Sequence, residues 1–400
     1  MAITDKEQGV WILDEVYNKQ NQGGIWDYSS DANNLFLWGS NPSGVLGLNQ
    51  APAQLSKVSS PTQVGTDDNW QQAGTMGTQS FAIKTNGSLW AWGANTNGFL
   101  GLNNTTKVSS PTQVGTDTTW STISKCSTPG QGGCLANKTD GTLWSWGYQS
   151  YGNLGFNQSS PQKISSPTQL PGTWSNEFAM CPGHAVAIKP DGTLWAWGAR
   201  YRGQVGNNQY VVGQKGISSP TQIGTDTTWS KVVGGTSTSG AIKTDGTLWM
   251  WGGAEKGVLG ENNPINVHRS SPTQVPGTWS TVQVIGSQAA VHGIKTDGTL
   301  WSWGSNDAGM LGLNQPGSTG DRSSPVQVGT DTTWDTVNSG GERGICRKTD
   351  GTWWVWGANQ QGKLGLNAPE TSSKSSPTQM PGTWDSIKFR DSGTIALKIS

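Results

Sequence analysis

The chain has 400 residues and a formal net charge of zero, with glycine (57) and tryptophan (23) far above ordinary levels and charged residues at only 13%. The balanced charge argues against a nucleic-acid surface, which needs a basic footprint, and four cysteines do not make a disulfide scaffold. No apolar run approaches the ~20 residues of a membrane span, and the opening MAITDKEQGVWILDEVYNKQ lacks the basic-then-apolar order of a secretion signal, so a soluble protein folded in a cytoplasm is expected.

In chain order, residues 1–30 come first and carry no repeat. Thr4-x-x-Glu7 is a capping-box pattern, after which Val10, Leu13 and Tyr17 fall on one helical face. Gly23-Gly24 ends the segment. Trp11 and Trp26 lie outside every repeated pattern, so with Val10, Leu13 and Tyr17 they are the expected contacts to a partner chain.

Residues 31–400 are a repeat array, the sequence signature of a solenoid or propeller. Trp-Gly occurs at Trp38, Trp92, Trp146, Trp197, Trp251, Trp303 and Trp356. A Ser-Ser-Pro follows each, with its proline at Pro61, Pro111, Pro167, Pro220, Pro272, Pro325 and Pro377. A further tryptophan comes next, at Trp70, Trp120, Trp174, Trp229, Trp279, Trp334 and Trp384. Three independent markers each count to seven. One repeat reads as four strands: Thr112–Val114 after the Ser-Ser-Pro corner, Trp120–Ser124, Leu135–Lys138 and Thr142–Trp146. Asp140-Gly141 joins the last two as a two-residue hairpin in which both residues tolerate positive φ.

The same turn recurs at Asn86-Gly87, Asp191-Gly192, Asp245-Gly246, Asp297-Gly298 and Asp350-Gly351, making six turns for seven repeats. The chain ends on Ile395-Ala396-Leu397-Lys398, a third-strand pattern, and Leu35-Phe36-Leu37-Trp38 near its start is a fourth. Pairing the two closes the ring and leaves no open gap. The expected fold is therefore all-β: a seven-bladed propeller of four-stranded blades, with a short N-terminal helical or extended segment. Small residues two before the repeat lysine (Ala82, Ala136, Ala187, Ala241, Gly293, Cys346, Ala396) are read as the tight inner position where blades converge, which makes Cys346 a packing residue.

From their residues alone, the repeat tryptophans are core. Burying an aromatic side chain removes roughly 150–250 Å², an upper estimate of about 4–6 kcal/mol at ~25 cal/mol per Å². His184, His268 and His292 have no metal-ligand spacing, no nucleophile elbow or phosphate loop is present, and the Asp-Gly aspartates are explained by turn geometry. No catalytic site, metal or cofactor is expected. Cys126 and Cys134 flank one turn and are either bridged or free. The stretches before each Ser-Ser-Pro vary from five to nine residues and carry Lys107, Lys163, Lys215, Arg269, Arg322 and Lys374. They are either a binding surface or solvated connectors.

Leu89-Trp90-Ala91-Trp92-Gly93, then Asn95, then Gly98-Phe99-Leu100-Gly101, resembles the signature of the regulator-of-chromosome-condensation repeat family. The resemblance covers residues 35–400 and implies a seven-bladed propeller whose terminal strands share a blade. The family's eukaryotic namesake exchanges nucleotide through a β-wedge and binds chromatin through a basic tail, and this chain has neither. Bacterial and phage chains also carry these repeats. The opening Thr4-Asp5-Lys6-Glu7-Gln8-Gly9-Val10-Trp11 and Gly24-Ile25-Trp26 are similar to leading segments of marine phage particle proteins.

The expected function is a non-enzymatic structural or adhesive propeller, a phage virion component attached through residues 1–30. Its partners are other protein subunits of a virus particle and a host-surface receptor or glycan, with no nucleic acid and no membrane insertion. The expected location is the virion, assembled after synthesis in a host cytoplasm, or else the cytoplasm itself. Two alternatives stand beside it: a regulatory propeller binding a small GTPase, and a carbohydrate-binding adhesin.

Overall fold

A hairpin closes at every Asx-Gly pair, but not as the two-residue turn the sequence suggests. Lys84 N–H donates to Ser88 O at 3.0 Å and Gly87 N–H to Lys84 O at 2.8 Å, so the loop is Thr85-Asn86-Gly87. Only the glycine has positive φ, between +77° and +84° in all six copies, which is the three-residue hairpin with a glycine bulge. The Asx side chain has another task. Asp140 Oδ1 accepts from the amide and hydroxyl of Thr142 at 2.9 and 2.7 Å, and each copy repeats this.

The computed structural model describes residues 33–124, 132–158, 162–209, 216–262, 267–285, 289–315, 320–366, 372–390 and 393–399. The expected N-terminal helix with Val10, Trp11, Leu13, Tyr17 and Trp26 lies outside these residues, as do Cys126 and Lys215.

The strands assemble into seven antiparallel blades, each ordered from axis to rim. Blade 1 is Ser386–Arg390, Gly393–Ile399, Asn33–Ser40 and Lys57–Gln63. Blade 2 is Trp70–Met76, Gln79–Lys84, Leu89–Gly93 and Val108–Gln113. Blade 3 is Trp120–Ile123, Gly133–Lys138, Thr142–Gln149 and Gln162–Thr173. Blade 4 is Phe178–Cys181, His184–Ile188, Leu194–Ala199 and Gly216–Gln222. Blade 5 is Trp229–Gly234, Thr238–Lys243, Thr247–Gly252 and the first part of Arg269–Ile285, whose second part is the inner strand of blade 6. Blade 6 continues with Ala290–Lys295, Leu300–Gly304 and Arg322–Gln327. Blade 7 is Trp334–Val337, Arg343–Lys348, Trp353–Gly357 and Lys374–Gln379.

Blade 1 is the shared one. Asn33 to Gly39 pair in continuous register with Ile399 to Gly393, which is the closure inferred from the missing seventh turn.

Two expectations of detail are corrected. The Ser-Ser-Pro is not a corner before a short strand Thr112–Val114. It lies within the outermost strand Val108–Gln113, as a bulge: Ala91 faces Thr112 and Gly93 faces Val108, leaving Ser109, Ser110 and Pro111 opposite Trp92. Proline is tolerated there because the strand is at an edge and bulged.

The small residues, secondly, do lie where neighbouring blades meet, Ala82 in one cluster with Leu35 and Leu37 of blade 1 and Ala136 with Phe81 and Ile83 of blade 2, but one strand out from the innermost position. They stand on the second strand, opposite Ala73, Ile123, Phe178, Val232, Val282, Val337 and Ile387 of the inner strands. At Gly293 an indole of the same blade leaves no room for a side chain. A Cβ on Gly293 would lie 2.8 Å from the Trp279 ring.

Blades lock to each other through the repeat markers. The Trp-Gly tryptophans are fully buried. Six of them donate their indole N–H to a backbone carbonyl of the preceding blade's Gly-x-Leu-Gly segment or its equivalent, at 2.7–2.9 Å. The first glycine of that segment meets the Ser-Ser-Pro of the blade beyond. At Gly98, with φ +76°, an added Cβ would lie 2.7 Å from Ser165 Cα, so only glycine fits. Gly362 meets Ser59 in the same way, which joins blade 7 to blade 1.

Candidate functional site

The topology gives the ring two unlike faces. Asx-Gly turns and the short connections entering each inner strand lie on one. The long stretches after each Trp-Gly, and the turns from inner to second strands, lie on the other. The long stretches before each Ser-Ser-Pro, five to nine residues, are therefore all on one face.

Of the charged residues expected there, Lys107 is exposed and Lys374 half-buried. The others that can be described are engaged by the framework. Lys163 Nζ donates to Thr96 O at 3.2 Å. Arg269 Nε pairs with Glu261 at 2.8 Å. Arg322 donates to Gly320 O and Gln315 Oε1, both at 2.8 Å. They hold loops in shape and do not form one patch.

The inner strands of all seven blades surround an axial cavity of about 240 Å³. Its wall is a mixture of hydroxyls, amides and aliphatic groups, with Lys231 and Lys388 as its charged members. Inner strands are sheet edges and need partners for their unpaired backbone groups. Neighbouring blades supply them through side chains. Gln72 Oε1 accepts from Ile123 N at 2.8 Å, Ser124 Oγ from Met180 N at 2.7 Å, and Glu177 Oε2 from Val232 N at 3.3 Å. Lys231 Nζ donates to Ser280 O at 2.5 Å and Asn338 Nδ2 to Ile387 O at 3.0 Å.

Around the rim of the Asx-Gly face, six copies of an arrangement not foreseen from the sequence occur. Trp90, Trp144, Trp195, Trp249, Trp301 and Trp354 are half-buried, not core. Each donates its indole N–H to the turn hydroxyl two residues before it, at 2.8–3.1 Å. The repeat lysine lies over this ring and over that of the inner-strand tryptophan. Lys138 Nζ is 3.8 Å from the Trp144 centroid and 4.9 Å from that of Trp120. An ammonium between two indole faces is attracted to both quadrupoles.

The histidines and cysteines are structural. His184 and His292 are buried and bond Ser239 Oγ at 2.9 Å and Ser339 Oγ at 2.6 Å in the next blade; burial pushes each imidazole down to about 4. His268 Nδ1 accepts from Ala254 N at 3.1 Å. Cys346 and Cys134 are free and buried, and burial raises both thiols. Among the described residues no three His, Cys, Asp or Glu side chains gather as a metal site.

Segments 86–127, 140–181, 297–342 and 350–391 match the model of the regulator of chromosome condensation (RCC1) repeat. The ultraviolet-B receptor UVR8 of Arabidopsis thaliana is 25% identical over 293 residues, 72% of this chain and 64% of its own length. The chain thus spans less than two thirds of that relative. Among solved structures, human WBSCR16 aligns with a TM-score of 0.76 at 19% identity, over 92% of this chain and 98% of its own. Prp20p from Saccharomyces cerevisiae aligns with a TM-score of 0.75 at 17% identity, over 92% and 91%. Four segments of the chain thus match the RCC1 repeat, and its fold is that of the RCC1-like propellers.

Proposed function

We propose that this RCC1-like propeller is a non-enzymatic protein-interaction module, whose partner binds the face carrying the long loops. One observation carries the reading: the marker residues of the framework recur in every blade, while the longest and most varied stretches, those before each Ser-Ser-Pro, are gathered on a single face. A rigid ring presenting varied loops is a common way to build recognition. Cross-linking the full chain to its co-purifying polypeptides tests it. Cross-links from Lys107, Lys163 and Lys374 would support the reading. Cross-links confined to the lysines of the Asx-Gly face would oppose it.

The finer reading is a phage-particle component held through residues 1–30, with Val10, Trp11, Leu13, Tyr17 and Trp26 as contacts and the loops turned outward. Its support is the leading segment, which supplies apolar side chains that the seven-blade count does not need. A chain starting near Ser30 should fold as a propeller and fail to join the particle. Normal incorporation would overturn the anchor.

A second reading, binding of a small GTPase, gains weight from the likeness to Prp20p, whose structure is reported with its binding to Gsp1p and histones. Against nucleotide exchange stands the sequence itself, where the longest stretch before a Ser-Ser-Pro is nine residues and leaves no room for a wedge. Accelerated nucleotide release from a small GTPase at catalytic amounts of the chain would decide for exchange.

A further inference from the structure

Four of the six lysine stacks are completed by an aspartate, and two are not. Lys84 reaches Asp67 at 2.8 Å, and Lys138, Lys243 and Lys348 reach Asp117, Asp226 and Asp331 at 2.5 Å each. Those aspartates come from five-residue connections that begin Gly-Thr-Asp and lead into the inner strand. In blades 4 and 6 the connection is Pro-Gly-Thr, at 171–173 and 276–278, and it brings no carboxylate. Neither Lys189 nor Lys295 has an ion pair among the described residues. Asp191 bonds the amide and hydroxyl of Thr193 through Oδ1 at 3.0 and 2.6 Å, as in the other turns, and feels the charge of Lys189 without forming an ion pair with it.

The two stacks lacking an aspartate differ in what surrounds them. Lys189 opens onto a rim cleft of about 390 Å³ between the outer strands of blades 3 and 4. Flat apolar groups wall it, namely Phe156, Pro171, Trp195 and Pro220, with Asn157 and Gln169 as polar members. Phe156 is the only aromatic residue at its repeat position, where other blades have Leu48, Leu102, Asn207, Glu261, Leu313 and Leu366. For the blade 6 stack the corresponding residue, from blade 5, is Glu261, a carboxylate paired with Arg269 in place of an aromatic wall.

We infer that the blade 3–blade 4 cleft binds a carboxylate carried on a ring, the acid group sitting at Lys189 where aspartate sits in four other blades. The lysine is held between Trp195 and Trp174, 3.8 and 5.2 Å from their centroids. An ammonium has three donors, and an acceptor of opposite charge forms the strong kind of hydrogen bond. The apolar walls favour a flat or ring-shaped body over an extended chain. Acidic sugars and aromatic acids share this chemistry, and the experiment separates them.

Calorimetric titration of the full chain with glucuronate and with benzoate, at low salt, tests the site, with glucose and benzyl alcohol as neutral counterparts. One or both acids should bind at one site per chain, with the neutral counterpart at least about tenfold weaker. Glucuronate alone would identify an acidic sugar, benzoate alone an aromatic acid. Lys189→Gln should remove binding and Lys295→Gln should keep it. Replacing residues 171–173 by Gly-Thr-Asp-Thr-Thr should supply an internal carboxylate and abolish binding without lowering the melting temperature. The site is overturned if neither acid binds by about 10 mM, or if the grafted chain binds as well as the original.

Discussion

Trp92 in blade 2 donates its indole N–H to the carbonyl oxygen of Val45 in blade 1 at 2.9 Å, and Ser80 reaches the same oxygen at 3.1 Å. Two donors on one buried acceptor make the interface tolerant of losing either. Ser80→Ala should cost about 1 kcal/mol for its lost bond, and Trp92→Phe that amount plus the loss of buried ring area. Together they remove both of these donors, so the double variant should cost more than the sum, by up to about 1–3 kcal/mol. Urea unfolding of the four chains measures this. Simple additivity would mean that the carbonyl finds water.

Removing Ile395–Ser400 should open the ring. The deletion strips the partner from most of the paired stretch Asn33–Gly39 and from the inner strand Ser386–Arg390, exposing two edges at once. A large fall in melting temperature and concentration-dependent aggregation are expected. A melt within about 1 °C of the full chain, under about 1 kcal/mol for a chain of this size, would contradict ring closure as the source of stability.

Two turn glycines with the same backbone should respond differently to substitution. Gly192 has φ +78° and Gly246 has φ +82°, so alanine at either meets left-handed strain of about 1–2 kcal/mol. An added Cβ at Gly192 would lie 1.9 Å from Thr227 O, but at Gly246 its nearest neighbours are 3.6 Å away. Gly192→Ala should therefore destabilise clearly more than Gly246→Ala. Gly246→Val should cost more than a typical surface change, because β-branched residues suit positive φ badly. Equal melts for the two alanine variants would refute the clash.

Acid should weaken the fold in two separate windows. Unfolded histidine titrates near 6.5, whereas His184 and His292 titrate at about 4 when folded. The unfolded chain thus takes up protons first, and stability present above about pH 6.5 drains as pH falls to about 4, by about 3 kcal/mol per histidine at most. Asp117, Asp226 and Asp331 lie at about 2, first because each is hydrogen-bonded by its lysine. Their contribution is present above pH 3.8 and is lost as pH falls through about 2. His184→Gln with His292→Gln should flatten the upper window and leave the lower one. An unchanged slope between pH 6.5 and 4 would mean that the imidazoles are hydrated.

Blade number and closure were legible in the sequence because every repeat solves the same packing problem with the same residues, so Trp38 to Trp356 recur at nearly even spacing. What stayed hidden depends on partners that exist only after the strands pair. Ser109-Ser110-Pro111 reads as a corner, yet its meaning comes from Trp92 on the neighbouring strand and from Gly44 of the blade before. Lys84 and Trp90 are both plainly repeated, but no spacing rule says that the lysine lies 4.3 Å over that ring. The alternation of Gly-Thr-Asp with Pro-Gly-Thr was visible all along. Its importance was not, because the aspartate is distant in sequence from the lysine it neutralises.

The strand Asn33–Ser40 belongs to the first stretch of propeller to leave a ribosome, and its partner Gly393–Ile399 to the last. At about 5–20 residues per second, a strand edge waits some 20 to 70 seconds, through the synthesis of six whole blades, before it is covered. The contact that finishes the fold also has the longest sequence separation in it, and such contacts form slowly because the loop must be closed before anything is gained. The same geometry works in reverse once the ring exists. Parting that one strand pair frees both ends of the array at once, so the lifetime of the folded chain should be more sensitive to the opening rate of blade 1 than to that of any other blade.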